Sequence, residues 1–261
     1  MIVTPIRTRP LIPPKDDLLA VLDQAMPADL KEESIVVITS KVVAIWQGRC
    51  EPVPAGDAKE QLRFKDALAA READYYLPRG EGPDAHRMHT ITDGVLIGAA
   101  GIDQSNGNGY YILWPEDPMT AAAELRAHIG AVYSVQRLGV IIADSHSSPL
   151  RNGAIGITLG YAGCRAQYDY RGTMDLFGRS FQAERLNVVD SLASAANLVM
   201  GEGAECTPFA VIEDAPHVEF SDTEATDPWL QLSVPLSDDI FNRFLVDQPW
   251  KKGDTHDSHD T

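Results

Sequence analysis

The sequence is poor in cysteine and has no long hydrophobic run. Its 261 residues include only three cysteines, Cys50, Cys164 and Cys206, which are far apart and in no metal-binding spacing. A disulfide framework is therefore not indicated, and a reducing cytoplasm is the expected location. No apolar run approaches the ~20 residues that a membrane span needs, and the N-terminal MIVTPIRTRP lacks the apolar core of a secretion signal. We therefore expect neither membrane insertion nor secretion.

Basic residues are also scarce, since 22 Lys and Arg stand against 38 Asp and Glu, for a net charge of −16. Extended binding to nucleic acid is disfavoured, because that affinity depends on clustered basic side chains. The sequence contains neither the GxGxxG fingerprint of Rossmann folds nor the GxxxxGK[ST] motif of P-loops. A bound nucleotide would therefore need metal ions and local arginines to offset its phosphate charge.

Apolar periodicity predicts helices that alternate irregularly with strands, which indicates a mixed α/β fold, either one elaborate domain or two modest ones. Helices are predicted over residues 16–26, 59–77, 118–136, 182–200 and 235–245. Strands are predicted over 34–49, 138–143, 154–162 and 209–213, with a hairpin formed by 94–99 and 110–114.

Two aspartates that follow short apolar runs are the first candidate site residues. Asp103 follows GVLIGAAGI, and Asp144 follows the predicted strand VIIA. A carboxylate at the end of a buried strand lies where open α/β sheets bind ligands, and hard oxygen donors suit Mg²⁺ or Mn²⁺. The competing interpretation is that each aspartate caps the loop after its strand.

The segment that begins at Asp144, DSHSSPLRNG, concentrates further polar groups. Ser145 can add an oxygen ligand, and Arg151 can pair bidentately with a phosphate or a carboxylate. The adjacent Ser145 and His146 also suggest a hydrolase, although neighbouring residues rarely form a catalytic triad. Glu202, in VMGEG, is either a solvated residue after a glycine helix cap or a further metal ligand.

A second charged segment, DYRGTMDLFGR, starts at Asp169. For Asp169 and Arg171 a salt-bridged turn is the favoured interpretation, whereas Arg179 can meet an anionic substrate.

The order of motifs resembles one enzyme family. TSK, GIDQSN, IIADSHSSPLRNG, DYRGTMDLFGR and VMGEG-x(4)-PFAVI follow one another over Thr39–Ile212, and the opening RPLIPPKDDL is similar to that family's nucleotide-contacting segment. Together they resemble the coenzyme F420-0:L-glutamate ligases, including relatives proposed to act on folate-type substrates. We expect a catalytic region over 1–215 with two subdomains, a packed C-terminal extension over 216–250 and a disordered tail over 251–261.

The resemblance implies a two-domain α/β fold, an intertwined homodimer and a ligase that uses GTP (or ATP) and two divalent cations, Mg²⁺ or Mn²⁺. Its small-molecule partners would be the nucleotide, L-glutamate and an acceptor carboxylate, which is joined to glutamate through an acyl phosphate. Carried over by position, Asp103 and Asp144 would bind one ion, and Ser145 and Glu202 the other. Nucleotide contacts are implied for Arg9, Pro10, Leu11, Ile12, Thr39, Ser40, Asn106, Gly201 and Gly203.

The chain departs from the family pattern at three places, of which the first two bear on substrate or nucleotide choice and the third adds a negative charge near the metals. Ala44-Ile45 replaces a Ser-Lys pair, so a nucleotide-facing lysine is missing, His146-Ser147-Ser148 replaces an aromatic-Gly-Arg triplet, and Glu202 stands where Gln is usual. Two alternatives to the ligase stay open. A two-metal phosphohydrolase would use the same carboxylates with water as the nucleophile, and a non-catalytic nucleotide-binding protein would fit the departures at Ile45 and Glu202.

Overall fold

The structure is a computed structural model that describes residues 1–80 and 87–254. It divides into two compact units. Unit 1 comprises Met1–Leu11, Asp17–Trp46 and Pro115–Leu232, and unit 2 comprises Ile12–Asp16, Gln47–Trp114 and the chain from Ser233 on.

Helices and strands are mixed in the described residues, which confirms the predicted α/β class. The helices are α1 (Leu18–Ala25), α2 (Ser40–Gln47), α3 (Ala58–Glu72), α4 (Pro118–Tyr133), α5 (Val188–Met200) and α6 (Asn242–Leu245). The strands are β1 (Ile2–Ile6), β2 (Ser34–Thr39), β3 (Cys50–Pro52), β4 (Tyr75–Leu77), β5 (His89–Thr92), β6 (Val95–Gly98), β7 (Tyr110–Ile112), β8 (Leu138–Ser147), β9 (Ala154–Ala162), β10 (Gln167–Asp169), β11 (Arg185–Asn187), β12 (Phe209–Glu213) and β13 (Lys251–Lys252). None of the helices in these residues is long and apolar enough to span a membrane.

Unit 1 is built on a five-stranded sheet in the order β1-β12-β2-β8-β9. The β2–β8 pair is parallel, and the other pairs are antiparallel. α5 packs against one face, where its apolar side chains join Ile35, Val37 and Ile141 in a core. Val36 and Ile142 point to the opposite face and are also fully buried, so the sheet is covered on both sides.

Unit 2 contains a four-stranded antiparallel sheet, β13-β4-β5-β6, and the two-stranded pair β3-β7. Its core contains Leu68 and Ala69 of α3 together with Ile102, Tyr111 and Leu113. A capping box starts α3, because Asp57 accepts from the N–H of Glu60 and the Glu60 side chain accepts from the N–H of Asp57.

The strand predicted over 34–49, whose centre is broken by the polar triplet Thr39-Ser40-Lys41, is wrong in its second half. β2 ends at Thr39, and Ser40 begins α2, whose residues Val42–Ile45 are buried. A short buried apolar run fits a strand and a helix equally well, so periodicity could not separate them. The polar triplet at 39–41 marks the change from strand to helix.

The predicted hairpin has the wrong partner. β6 pairs with β5 through the turn Asp93-Gly94, and β7 pairs with β3. Both turn residues have positive φ, 50° and 73°, as the Asp-Gly signature of a two-residue hairpin requires. An isolated bridge joins Asp103, which follows the first predicted strand, to Ile112 in the second.

Several helix bounds are shorter than predicted. α3 ends at Glu72 and is followed by a strand, α5 starts at Val188 after β11, and α6 covers only Asn242–Leu245. Strands β9 and β12 match their predicted bounds. In the segment predicted to be a disordered tail, Lys251–Lys252 pairs with β4, and residues 255–261 lie outside the described part of the chain.

Candidate active site

One edge of the unit 1 sheet collects most of the candidate residues of that unit. The parallel strands β2 and β8 end their pairing at Thr39 and Ala143. Ser40 and Asp144 therefore follow at the same edge, although they are far apart in the sequence. Ser40 is buried and begins α2, whereas Asp144 is half-buried.

Two further segments reach this edge. The N–H of Thr8 donates to a carbonyl of the loop 201–208 at 2.8 Å, and the N–H of Thr39 donates to Pro208 of the same loop at 3.0 Å. Residues 9–11, for which nucleotide contacts are expected, directly follow Thr8. The structure therefore brings four predicted segments together at one sheet edge within unit 1.

Asp144 lies inside its strand, which corrects the prediction that it follows the strand. The β8–β9 ladder continues from Asp144 opposite Ile157 to Ser147 opposite Ala154. Because β9 pairs with β8 beyond the end of β2, the two strands form an arm that extends past the rest of the sheet. Pairing with β9 is not visible in the local pattern of β8, so the strand end was placed too early.

The two residues predicted to share the second ion meet in the structure. The Oγ of Ser145 donates to Oε2 of Glu202 at 3.1 Å, and Nδ2 of Asn197 donates to Oε1 of Glu202 at 2.9 Å. The competing interpretation of the helix end is also satisfied, since Gly201 caps α5 through its N–H and the Asn197 carbonyl. Their proximity is therefore established, and metal binding stays a prediction.

Asn197 was not predicted from the sequence, because it lies in an apolar stretch of a helix where only its polarity was a signal.

Ser145 and His146 point to opposite faces of the arm, as successive strand residues do. This orientation disfavours the Ser–His hydrolase. Burial lowers the pKa of the His146 imidazole, against the charge of Asp190, which raises it.

The loop after α5 holds an acidic side chain that sequence reasoning missed. The N–H of Gly203 donates to Oε2 of Glu205 at 2.8 Å. A Cβ at Gly201 would stand 2.6 Å from the Glu205 carboxyl carbon, and Gly201 has a φ of +80°. The positive φ favours glycine at 201, and the Glu205 carboxylate fills the space beside it.

Ile45 is a core residue and is not among the residues that form this sheet edge. Ile45 is 3% exposed and packs in the core, and Ala44 is fully buried. The lysine that relatives are expected to carry is therefore replaced by a core residue of α2. Arg151 lies in the exposed β8–β9 loop, and among the described residues its side chain makes no ion pair.

Asp103, Asn106 and Ile12 belong to unit 2. The Asp103 carboxylate accepts from the N–H of Gln104 at 2.6 Å and from the N–H and Oγ of Ser105 at 2.8 and 2.7 Å. Its backbone exchanges two hydrogen bonds with Ile112, at 3.0 and 2.8 Å. The loop-capping interpretation of Asp103 is thus observed, and its role as a metal ligand stays a prediction.

The structure adds Lys65 of α3 to the residues near this loop. Its Nζ lies 6.0 Å from the centroid of the Tyr111 ring, and the charge of Asp103 acts on it. Burial lowers the pKa of Lys65, against the effect of Asp103, which raises it. A lone lysine on an amphipathic helix carries no sequence signal of its own.

The charged segment at 169–171 is the salt-bridged turn that was favoured. Arg171 Nη2 lies 2.7 Å from Asp169 Oδ2 and 2.6 Å from Asp227 Oδ2. Hydrogen bonds from the Arg171 side chain and backbone lower the pKa of Asp169 to about 2, and the two carboxylates raise the pKa of Arg171. Arg179 is exposed, and its backbone N–H donates to Asp175 at 2.8 Å.

Within residues 1–80 and 87–254, no group of three His, Cys, Asp or Glu side chains is arranged to hold a metal ion. The predicted ligand pairs are of another kind. One pair, Ser145 and Glu202, includes a hydroxyl, and the other is predicted from Asp144 in unit 1 and Asp103 in unit 2.

The chain matches the family model F420-0:Gamma-glutamyl ligase over residues 6–214. A coenzyme F420:L-glutamate ligase from Halorubrum lacusprofundi is 35% identical over 231 residues, which cover 81% of this chain and 85% of the relative. The enzyme of that name from Methanopyrus kandleri is 33% identical over 220 residues, covering 80% and 85%. The one from Methanocaldococcus jannaschii is 36% identical over 148 residues, covering 57% of each chain.

The family match covers the five motifs and the sheet edge at which three of them meet residues 9–11, and it confirms the predicted enzyme class. The chain belongs to the F420-0:gamma-glutamyl ligase family.

Proposed function

We propose that this protein is a nucleotide- and divalent-metal-dependent ligase that joins L-glutamate to a carboxylate of an F420-0-like or folate-like acceptor. The family assignment supports the γ-glutamyl bond as its product. The structural observation that carries the proposal is the pairing of Ser145 Oγ and Glu202 Oε2 at 3.1 Å, beside Asp144 at the sheet edge. We expect the acceptor, glutamate and nucleotide to be its partners, and we expect no nucleic-acid or membrane partner.

The oxygen donors at this edge fit a divalent ion. Around Mg²⁺ with bonds of about 2.0–2.1 Å, adjacent ligand oxygens of an octahedron lie about 2.9 Å apart. The 3.1 Å between Ser145 Oγ and Glu202 Oε2 is close to that spacing. We assign these two residues to one Mg²⁺ or Mn²⁺ and, from the family resemblance, Asp144 and Asp103 to another. When bound, such ions neutralise phosphate charge and polarise phosphoryl oxygens.

The nucleotide, GTP or ATP, is assigned to the same edge. Ser40 opens α2, and the N–H groups at a helix N-terminus favour anions. Gly201 and Gly203 are assigned to the nucleotide from the family resemblance; the Glu205 carboxylate stands beside both glycines and would have to move for a phosphate to approach their backbone. Residues 9–12 and, in unit 2, Asn106 complete the expected contacts.

The chemistry joins two poorly reactive groups in two steps. An oxygen of the acceptor carboxylate attacks the γ-phosphorus, the bond to the bridging oxygen breaks, and nucleoside diphosphate leaves. The neutral amine of glutamate then attacks the acyl carbon, the carbon–oxygen bond to phosphate breaks, and the nitrogen loses a proton. Because no protein nucleophile is needed, the side chains contribute by orienting substrates and offsetting charge. Arg151 is assigned to pair with a substrate phosphate or carboxylate.

The proposal is tested by mass spectrometry of reactions that contain GTP or ATP, Mn²⁺ or Mg²⁺, glutamate and a panel of acceptors. The expected product has the mass of one added glutamyl residue. Asp144→Ala should abolish it, whereas Glu124→Ala, on the exposed surface of α4, should retain it. Ligation by Asp144→Ala at the wild-type rate would reject the metal assignment.

The same reactions separate the alternatives. Phosphate release that does not depend on glutamate would indicate a phosphohydrolase. Metal-dependent nucleotide binding without turnover would indicate a non-catalytic relative.

Residues 146–148 are proposed to influence the choice of acceptor, because here the chain departs from the pattern expected of the family. Restoring the usual arginine with Ser148→Arg should shift the relative rates for F420-0 and folate-type acceptors. Unchanged relative rates would show that this position does not select the acceptor.

The family resemblance also leads us to propose a homodimer. In its support, Leu176 and Phe177 are 96% and 90% exposed in the 172–181 loop of unit 1, and exposed apolar side chains are typical of interfaces. Light scattering should give twice the mass of one chain, and replacing both residues by serine should reduce it. A monomeric wild type at micromolar concentration would contradict the proposal.

A further inference from the structure

Lys65 carries a half-buried ammonium group in unit 2. Its side chain emerges from α3 and lies over Tyr111, with Nζ 6.0 Å from the ring centroid. Within residues 1–80 and 87–254 it makes neither a hydrogen bond nor an ion pair. Partial removal from water without an ion-pair partner is unfavourable for an ammonium group, and burial accordingly lowers the pKa of Lys65.

The two described carboxylates whose charge acts on Lys65 are engaged elsewhere. Asp66, the next residue along α3, accepts two hydrogen bonds from Arg79, at 2.6 and 2.8 Å. The Asp103 carboxylate accepts its bonds from the backbone of its own loop and from Ser105. Both carboxylates act on Lys65 only through longer-range charge.

The position of Lys65 is set by rigid surroundings. Tyr111 is 1% exposed, its hydroxyl donates to the Gln61 carbonyl at 3.1 Å, and its ring stacks with Phe64. Tyr111 directly precedes Ile112, the residue bonded to Asp103. The ammonium group and the Asp103 loop are therefore fixed on the same small framework.

We propose that Lys65 binds an anionic oxygen group of a substrate, a phosphate or a carboxylate, next to the Asp103 loop. The inference rests on the proposed function, since it assigns Lys65 to a substrate of that ligase. A lysine acts as a compact point charge with three donors, which suits either anion.

The test compares Lys65→Met, which keeps the apolar stem and removes the charge, with Lys65→Arg, which keeps a charge. The matched control is Lys59→Met, a lysine of the same helix that is exposed. The kcat and KM of ligation are measured separately for nucleotide and glutamate. Binding of a non-hydrolysable GTP or ATP analogue with Mn²⁺ is measured by calorimetry, and thermal unfolding is recorded for every variant.

We expect Lys65→Met to lower kcat/KM for one anionic substrate at least tenfold, with partial rescue in Lys65→Arg and less than a twofold effect in Lys59→Met. Weaker binding of the analogue would identify a nucleotide phosphate, whereas a raised KM for glutamate with unchanged analogue binding would identify a carboxylate.

An active Lys65→Met enzyme with unchanged kcat and KM would overturn the inference and leave the proposed function standing. A change in thermal stability alone would also overturn it, because the lysine would then act only by packing on Tyr111. A wild type that neither ligates glutamate nor binds the analogue would overturn the proposed function and this inference with it.

Discussion

Replacing Gly156 by alanine tests whether the contact between the β8–β9 arm and α5 supports the site. Gly156 lies in β9 directly opposite Ser145. An added Cβ would stand 2.4 Å from the Ala193 carbonyl oxygen and 2.8 Å from the Ser194 nitrogen. Both are backbone atoms of a helix, so no side-chain rotation can relieve the clash.

The expected cost follows from this distance. Ordinary van der Waals contacts begin at 3.4 Å, so the arm and α5 must move apart by about 1 Å to accept the added Cβ. The same movement stretches the 2.8 Å hydrogen bond that Ser194 Oγ donates to the Gly156 carbonyl. Overpacking of this kind costs about 1–3 kcal/mol. The lower entropy of the unfolded alanine chain offsets about 0.4–1 kcal/mol of that. A net loss of about 1–2 kcal/mol should lower Tm by roughly 2–8 °C.

The assay is thermal and urea unfolding of Gly156→Ala beside Gly98→Ala. Gly98 is also a strand glycine, but an added Cβ there meets only the Met88 carbonyl at 3.9 Å, so its effect should stay within about 0.5 kcal/mol. Because Glu202 follows α5, Gly156→Ala should also reduce the stabilisation that Mn²⁺ gives. Equal stability of the two variants would refute the packing argument.

Three further expectations concern the same unit. Asn187→Ala removes the side chain that accepts from the N–H of Asp190 at the start of α5, and should cost about 1 kcal/mol in urea unfolding; no change would mean that the cap is replaced by water. Since the folded pKa of Asp169 is about 2, below the ordinary ~3.9, its ionised form stabilises the protein above that ordinary value. The stability difference between wild type and Asp169→Asn should therefore shrink as pH falls from about 5 to 2, and a difference independent of pH would contradict the Arg171 pair. Glu202→Gln keeps an oxygen ligand but loses its charge, so half-maximal ligation should need several-fold more Mn²⁺; an unchanged requirement would remove Glu202 from the ligand set.

Local pattern predicted those elements whose apolar residues have an unambiguous period. β9 and β12 were placed correctly, and α4 was recognised from its start at Pro118, although it ends at Tyr133. The 34–49 segment failed because Val42–Ile45 is apolar in every register, so a strand and a buried helix look alike. The hairpin failed because its turn, Asp93-Gly94, was overlooked.

The candidate site was predicted in part. The interpretation of Asp103 as a loop cap and the Asp169–Arg171 ion pair follow from residue types and short spacings, and the structure shows both. Lys65 and Glu205 were not predicted, because a charged side chain on a helix or in a loop is ordinary until its surroundings are known.

The sequence by itself determined the family, through five motifs in one order, and with it the mixed α/β class and the set of residues that carry hard oxygen donors. Only the tertiary structure decided that β8 continues past β2 to carry Asp144 on an arm, since that extension depends on pairing with β9. It also placed Ser145 against Glu202, 57 residues away. The physical reason is that strand pairing and helix packing bury surface from distant segments, so these contacts depend on what each segment meets as well as on its own pattern.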